Sequence, residues 1–147
     1  MPVSDIAREN VVTVDPGSSL YSVANRMQET SVGSVVVVDD GEPIGIVSER
    51  DLALAVLVED WSADRPVEGL LSDDIVTVGP NLGIYELVEL FSTKGIQRVP
   101  VVDEGRMIGL VTLSDVVVLL GMELQHVANA IRTIAPAYEH SPVDLYE

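Results

Sequence analysis

The chain has 147 residues, 24 acidic and 8 basic side chains, a formal charge of −16 and no cysteine. A surface of that charge repels nucleic acid and anionic membranes, whose binding depends on placed cations. Without thiols there are no disulfides, no thiolate catalysis and no thiolate metal sites. Nearly half the residues are apolar, enough to fill one ordinary domain or two small halves sharing a core. His126 and His140 are the only imidazoles, too few for a histidine-rich metal site. No apolar run approaches the roughly 18 residues of a membrane span, and no basic segment precedes an apolar one at the N-terminus. These features predict a soluble, cytoplasmic protein. Lys94 is the only lysine, and such a carboxylate excess suits a salt-adapted, halophilic surface, because molar salt screens its self-repulsion.

The chain repeats itself at an offset of 64 (109 − 45 = 64) with no gap. Pro2-Val3-Ser4-Asp5-Ile6 returns as Pro66-Val67-Glu68-Gly69-Leu70, and Asn10 to Pro16 returns as Asp74 to Pro80. Each half is expected to open on a short helical turn, followed by a β-branched strand at Val11–Val14 or Ile75–Val78. Helical spacing follows at Leu20, Val23, Ala24 and Met27, and again at Ile84, Leu87, Val88 and Phe91. The valine-rich runs Ser34–Asp39 and Arg98–Asp103 read as strands covered on both faces. Asp39-Asp40-Gly41 and Asp103-Glu104-Gly105 read as hairpin turns leading to return strands at Ile44–Val47 and Ile108–Val111. A capped helix closes each half, so the order is β-α-β-β-α, twice. The divisions are residues 1–60, a linker over 61–65 containing Trp61, residues 66–121, and a C-terminal segment over 122–147. Trp61 is expected over the joint between the halves. The last segment reads as one more helix, with Leu124, Val127, Ala128, Ile131 and Ile134 in a stripe, stopped at Pro136. A polar, mobile tail is expected after it, over 138–147.

One signature appears in both halves: Gly45-Ile46-Val47-Ser48-Glu49-Arg50-Asp51 and Gly109-Leu110-Val111-Thr112-Leu113-Ser114-Asp115. A strand that ends at a helix start aims backbone N–H groups and a positive dipole end at one place, which attracts phosphate. The aspartate one turn later repels phosphate but accepts hydrogen bonds from a sugar diol. The pattern therefore suggests a nucleotide. The plainer alternative is that Ser48/Asp51 and Thr112/Asp115 are capping boxes serving only their own helix ends.

The gapless duplication, the valine-rich hairpin and the twin glycine-to-aspartate signature resemble a tandem pair of CBS domains, the Bateman module, as a stand-alone protein. The resemblance covers residues 2 to about 121. It implies a mixed α/β (α+β) fold with two repeats packed about a pseudo-twofold axis. It also implies clefts that bind adenosine-containing ligands such as AMP, ADP, ATP or S-adenosylmethionine, and a homodimer. By position, one cleft would use Ser48 and Arg50 for phosphate and Asp51 for ribose, with Thr77, Ile96, Gln97 and Arg98 completing it. The other would use Thr112, Ser114 and Asp115, with Thr13, Val32, Gly33 and Ser34 around the base. Ser34 and Val36 depart from the family pattern, which Arg98 and Pro100 follow in the second half. Arg50, Arg98, Arg106 and the two helix starts are the candidate counter-charges for a phosphate.

Three functions stand on these residues. A non-catalytic ligand sensor acting on an unidentified partner protein comes first, and a dimerisation or docking scaffold second. An enzyme is a distant third. The family's modules also occur fused to a barrel dehydrogenase acting on inosine monophosphate, but this chain has neither a barrel's length nor a cysteine nucleophile. It also lacks a Walker loop and a nucleophile–base pair, and no cofactor is expected. Tyr21 and Tyr85, at matched places on the first helices, read as inherited packing.

Overall fold

The computed structural model describes residues 1–72 and 74–135. Pro136 and the tail over 138–147 lie outside the described residues. The first half contains β1 (Thr13–Val14), α1 (Leu20–Thr30), β2 (Ser34–Asp39), β3 (Glu42–Ser48) and α2 (Glu49–Leu57). The second contains α3 (Ile84–Lys94), β4 (Arg98–Asp103), β5 (Arg106–Thr112) and α4 (Leu113–Ile134). The result is a mixed α+β fold of two repeats, with β3 and β5 in contact where the halves meet.

Local chemistry accounts for these boundaries. Asp40 and Gly41 have φ of 47° and 83°, and Glu104 and Gly105 have 50° and 80°, so both hairpins close on type I′ turns. Ser19 Oγ accepts the Ser22 N–H at 3.1 Å and starts α1. Left-handed residues end the first helices, Ser31 (φ 56°) in one half and Gly95 (φ 65°) in the other. Val35, Val36 and Val37 are all buried, as a strand covered on both faces requires.

The two sheets differ by one strand. β2 lies between β1, parallel to it, and β3, antiparallel to it. In the second half, among the described residues, β4 pairs only with β5, and the matching outer segment touches it through the single bridge Val78–Val101. Proline explains the loss. Val36 N–H donates to the Val12 carbonyl at 3.2 Å, whereas Pro100, its counterpart, has no N–H to offer Val76.

Each half completes the core of the other. Val3 is fully buried among Leu87, Phe91, Val99 and Val111 of the second half, while Val67 is fully buried among Leu20, Val23, Val35 and Val47 of the first. Matched backbone bonds hold the exchanged turns: Val3 N–H to the Leu82 carbonyl (2.7 Å) and Val67 N–H to the Ser18 carbonyl (2.8 Å). Trp61 packs on the first-half core and against Gly69, with the Arg65 guanidinium 3.6 Å from its ring centroid. It thus covers the place where the second repeat's opening turn enters the first half.

The C-terminal helix differs from the sequence expectation. α4 runs unbroken from Leu113 through Gly121 to Ile134, so the closing helix of the second repeat and the extra helix are one. A single glycine costs a helix only about 1 kcal/mol relative to alanine. The good helix formers on either side of Gly121 outweigh that. No helix among the described residues is long and apolar enough to cross a membrane.

Candidate functional site

The duplicated signature forms two equivalent corners, β3 into α2 and β5 into α4. Close packing leaves little room beside its glycines. A Cβ at Gly45 would collide with the Leu71 side chain, and one at Gly109 would meet the Arg8 carbonyl oxygen at 3.0 Å and the Ala7 Cβ at 3.1 Å. The opening segment of each repeat therefore lies directly on the signature strand of the other, and that contact forms the floor of each cleft.

Both corners form full capping boxes. Asp51 Oδ2 accepts from the Ser48 N–H at 2.8 Å and the Ser48 hydroxyl at 2.9 Å. Asp115 Oδ2 accepts from the Thr112 N–H at 2.9 Å. The capping alternative is thus realised in both copies, yet it uses one carboxylate oxygen of each pair. The other oxygens differ. Among the described residues nothing donates to Asp51 Oδ1, whereas Asp115 Oδ1 accepts from Arg8 Nε at 2.8 Å and lies 2.7 Å from Arg8 Nη2 in an ion pair.

The cleft beside Asp51 holds a cavity of about 340 Å³ lined by Ile46, Ser48, Asp51, Gly95, Ile96, Gln97 and Arg98. A smaller recess of about 170 Å³ adjoins it, shares Ile46, Ile96 and Arg98, and adds Leu71, Ser72, Asp74, Ile75 and Val76. Ile75 and Val76 are available there because Pro100 leaves their segment off the sheet. The cleft beside Asp115 is smaller, about 200 Å³, and is lined by Arg8, Asn10, Val11, Val12, Val32, Ser34, Val36, Arg98, Leu110 and Thr112. Arg98 lines both clefts and has no ion pair among the described residues.

The structure therefore brings Ser48, Asp51, Ile96, Gln97 and Arg98 together on one side, and Val32, Ser34 and Thr112 on the other. Asp115 stands at the edge of the second group through Arg8. Gly33 and Gln97 act through the backbone, their carbonyls accepting from Glu49 N–H (3.0 Å) and Leu113 N–H (2.8 Å) at the helix starts. The remaining candidates lie apart. Arg50 and Ser114 are exposed on their helices, Thr77 is exposed, and Thr13 lines a separate polar depression with Asp15 and Ser22. Arg106 lies over Gly41 at the hairpin tips, away from both clefts. No cluster of three or more metal-ligating side chains occurs among the described residues.

Arg8 is the residue that sequence reasoning missed. Its counterpart 64 positions on is Ser72, so it falls outside every matched motif. The available signal was rarity: with only 8 cations in 147 residues, an unmatched arginine beside a repeat boundary stands out.

Comparison with known proteins agrees with this architecture. A family model described as "CBS domain" matches residues 3–58 and 67–121. An uncharacterized protein of Methanopyrus kandleri is 38% identical over 117 residues, which is 78% of this chain and 60% of that protein. Among solved structures, a CBS-domain containing protein from Agrobacterium tumefaciens superposes with a TM-score of 0.70 at 32% identity. That match covers 80% of this chain and 97% of the other. The CBS domain pair of protein MJ0100, solved with 5′-methylthioadenosine and S-adenosyl-L-methionine, superposes with a TM-score of 0.73 at 24% identity, over 84% of this chain and 98% of its own.

Proposed function

The chain belongs to the CBS-domain family, as a tandem pair, and on that premise we propose that it is a non-catalytic regulatory sensor of an adenosine-containing ligand. AMP, ADP, ATP and S-adenosylmethionine are the candidates. The observation that carries the reading is the Asp51 corner. There Asp51, one of whose carboxylate oxygens has no donor among the described residues, lines a cavity of about 340 Å³ together with Arg98. That volume falls within the range of small-molecule sites. The roles we assign are ribose for Asp51, phosphate for Arg98 with the α2 start at Ser48, and base contact for Ile96 and Gln97. Arg50 and Thr77 complete the set only if ligand binding draws them in. The MJ0100 pair supports the ligand class by likeness of fold.

A dye-melting screen against AMP, ATP, S-adenosylmethionine and NAD tests the reading. Ligand binding to the folded state alone raises the melting temperature with concentration, by about 2.7 kcal/mol of stability at a hundredfold excess over Kd. No shift with any of the four overturns it. A sensor must also bias a partner, and ligand does so only by favouring one arrangement of the halves.

The second reading, a dimerisation scaffold, has its own observation. α4 exposes Val117, Val118, Leu124, Val127 and Ile131, and the end of α2 exposes Leu57 and the capping residue Val58. Two such faces fit a homodimer, and light scattering of the protein with Leu124→Asp and Ile131→Asp tests it. A cytoplasmic location suits either role.

A further inference from the structure

We propose that Arg8 decides which cleft takes nucleotide: it occupies the diol-binding position of the Asp115 corner, so the protein binds one nucleotide, at Asp51. This rests on the nucleotide reading above and adds a site-selecting residue that neither repeat motif contains. The two corners have the same cap, with Oδ2 of each aspartate turned to its own helix start. Oδ1 is therefore the oxygen each aspartate leaves turned outward for a sugar diol. At Asp115 that oxygen already accepts a hydrogen bond from Arg8 Nε at 2.8 Å and lies 2.7 Å from Nη2 of the same guanidinium. A ribose hydroxyl can reach that oxygen only after this charge-assisted contact to a nearly buried acid is broken.

Arg8 is also held in place by its backbone. Its N–H donates to the Leu110 carbonyl at 2.9 Å, and its carbonyl accepts the Leu110 N–H at 3.0 Å. The residue is thus pinned to the signature strand, directly below the acid that it pairs with. At the other corner no such ladder joins the equivalent Ser72 to Ile46 among the described residues, and both line a recess. The side chain of Arg8 is 68% exposed while that of Asp115 is 9% exposed. The cation therefore covers the acid from the solvent side, the direction from which a ribose would arrive. The remaining volume, about 200 Å³, is below the range usual for sites of drug-sized ligands.

Arg8 is largely exposed, so replacing its side chain should leave the fold intact, and a melting curve checks this. The experiment is calorimetry with AMP, ATP and S-adenosylmethionine on the full chain and five variants: Arg8→Ser, Arg8→Lys, Asp51→Ala, Asp115→Ala and the double variant Arg8→Ser/Asp51→Ala. For at least one probe, the unmodified protein is expected to bind one equivalent and Asp51→Ala none at the same concentrations. Arg8→Ser should gain a second site at least tenfold tighter than any second site of the unmodified protein. The double variant should keep only that new site, and Arg8→Lys, which restores the cation, should remain at one equivalent. Two equivalents in the unmodified protein, or one in Arg8→Ser, overturns the role of Arg8 and leaves the nucleotide reading standing. One equivalent that survives in Asp51→Ala and disappears in Asp115→Ala places the ligand at the opposite corner and also overturns it. Binding of no probe by any of the proteins overturns the nucleotide reading and this proposal with it.

Discussion

At the β3–α2 corner the outward oxygen of Asp51 meets no donor among the described residues, while at the β5–α4 corner the same oxygen of Asp115 lies 2.7 Å from a guanidinium. Sequence differences at two matched pairs of positions separate the clefts. Pro100 stands where the first half has Val36, and Arg8 stands where the second has Ser72. The proline withholds one N–H from the sheet, and the loosened segment around Ile75 and Val76 lines a recess beside Asp51. The arginine closes the other corner. Duplication supplies two copies of a site, and it takes very few later changes to make them unequal.

The largest effect expected from breaking this comparison is in the core. Val23 and Leu87 are equivalent and both fully buried, and Leu87→Ala should cost about 2–5 kcal/mol of unfolding free energy. Because each half holds the other's opening turn, calorimetry should record one lowered transition; two separate melts would show that the halves fold independently. Next comes the sheet. Val36→Pro removes the bond to the Val12 carbonyl and should lower stability by about 1–3 kcal/mol in denaturant titrations. The reverse change, Pro100→Val, should raise stability and weaken nucleotide binding by narrowing the recess. If affinity rises instead, the recess has no part in binding.

At the site itself, Asp51→Ala should weaken adenosine-nucleotide binding by roughly tenfold to a hundredfold, the worth of one hydrogen bond to a charged group. Asp115→Ala should leave that affinity unchanged, because its carboxylate is engaged by Arg8. Arg98→Ala sharpens the assignment of phosphate. It should reduce AMP and ATP affinity about tenfold and S-adenosylmethionine, which has no phosphate, much less. The smallest effect concerns the charge of −16. Molar KCl should raise the melting temperature by roughly 2–4 °C, as for a gain on the order of 1 kcal/mol. An unchanged value would count against a salt-adapted surface.

The fold was legible because every level of the sequence agreed. Valine runs, glycine turns and hydroxyl caps recur at a fixed offset, and local preference matched tertiary demand at nearly all of them. Three features were hidden. The strand expected at Ile75–Val78 is reduced to one bridge at Val78, because Pro100 has no N–H to offer Val76. The exchange of Val3 and Val67 between halves is a long-range event, and nothing local to Pro2–Ile6 specifies which core receives it. The joining of two helices through Gly121 was masked by treating one glycine as a stop. The site was legible in part. Ser48, Asp51, Ile96, Gln97 and Arg98 do converge, because strand–helix corners place their residues by backbone geometry. Arg50 and Ser114 lie away from the clefts because consecutive helix positions are about 100° apart. Arg8 was hidden because a residue acting on one copy alone has no echo in the other.

The exchanged opening turns bear on how such a chain could arise. A lone 60-residue repeat would bury Val3 only by inserting it into a second molecule, leaving its own pit open until another copy filled it. Joining two repeats end to end turns that mutual insertion into an event within one chain, at an effective concentration in the millimolar range for a short linker. The short linker over 61–65 would then have made obligatory pairing independent of protein abundance, and freed each copy to diverge.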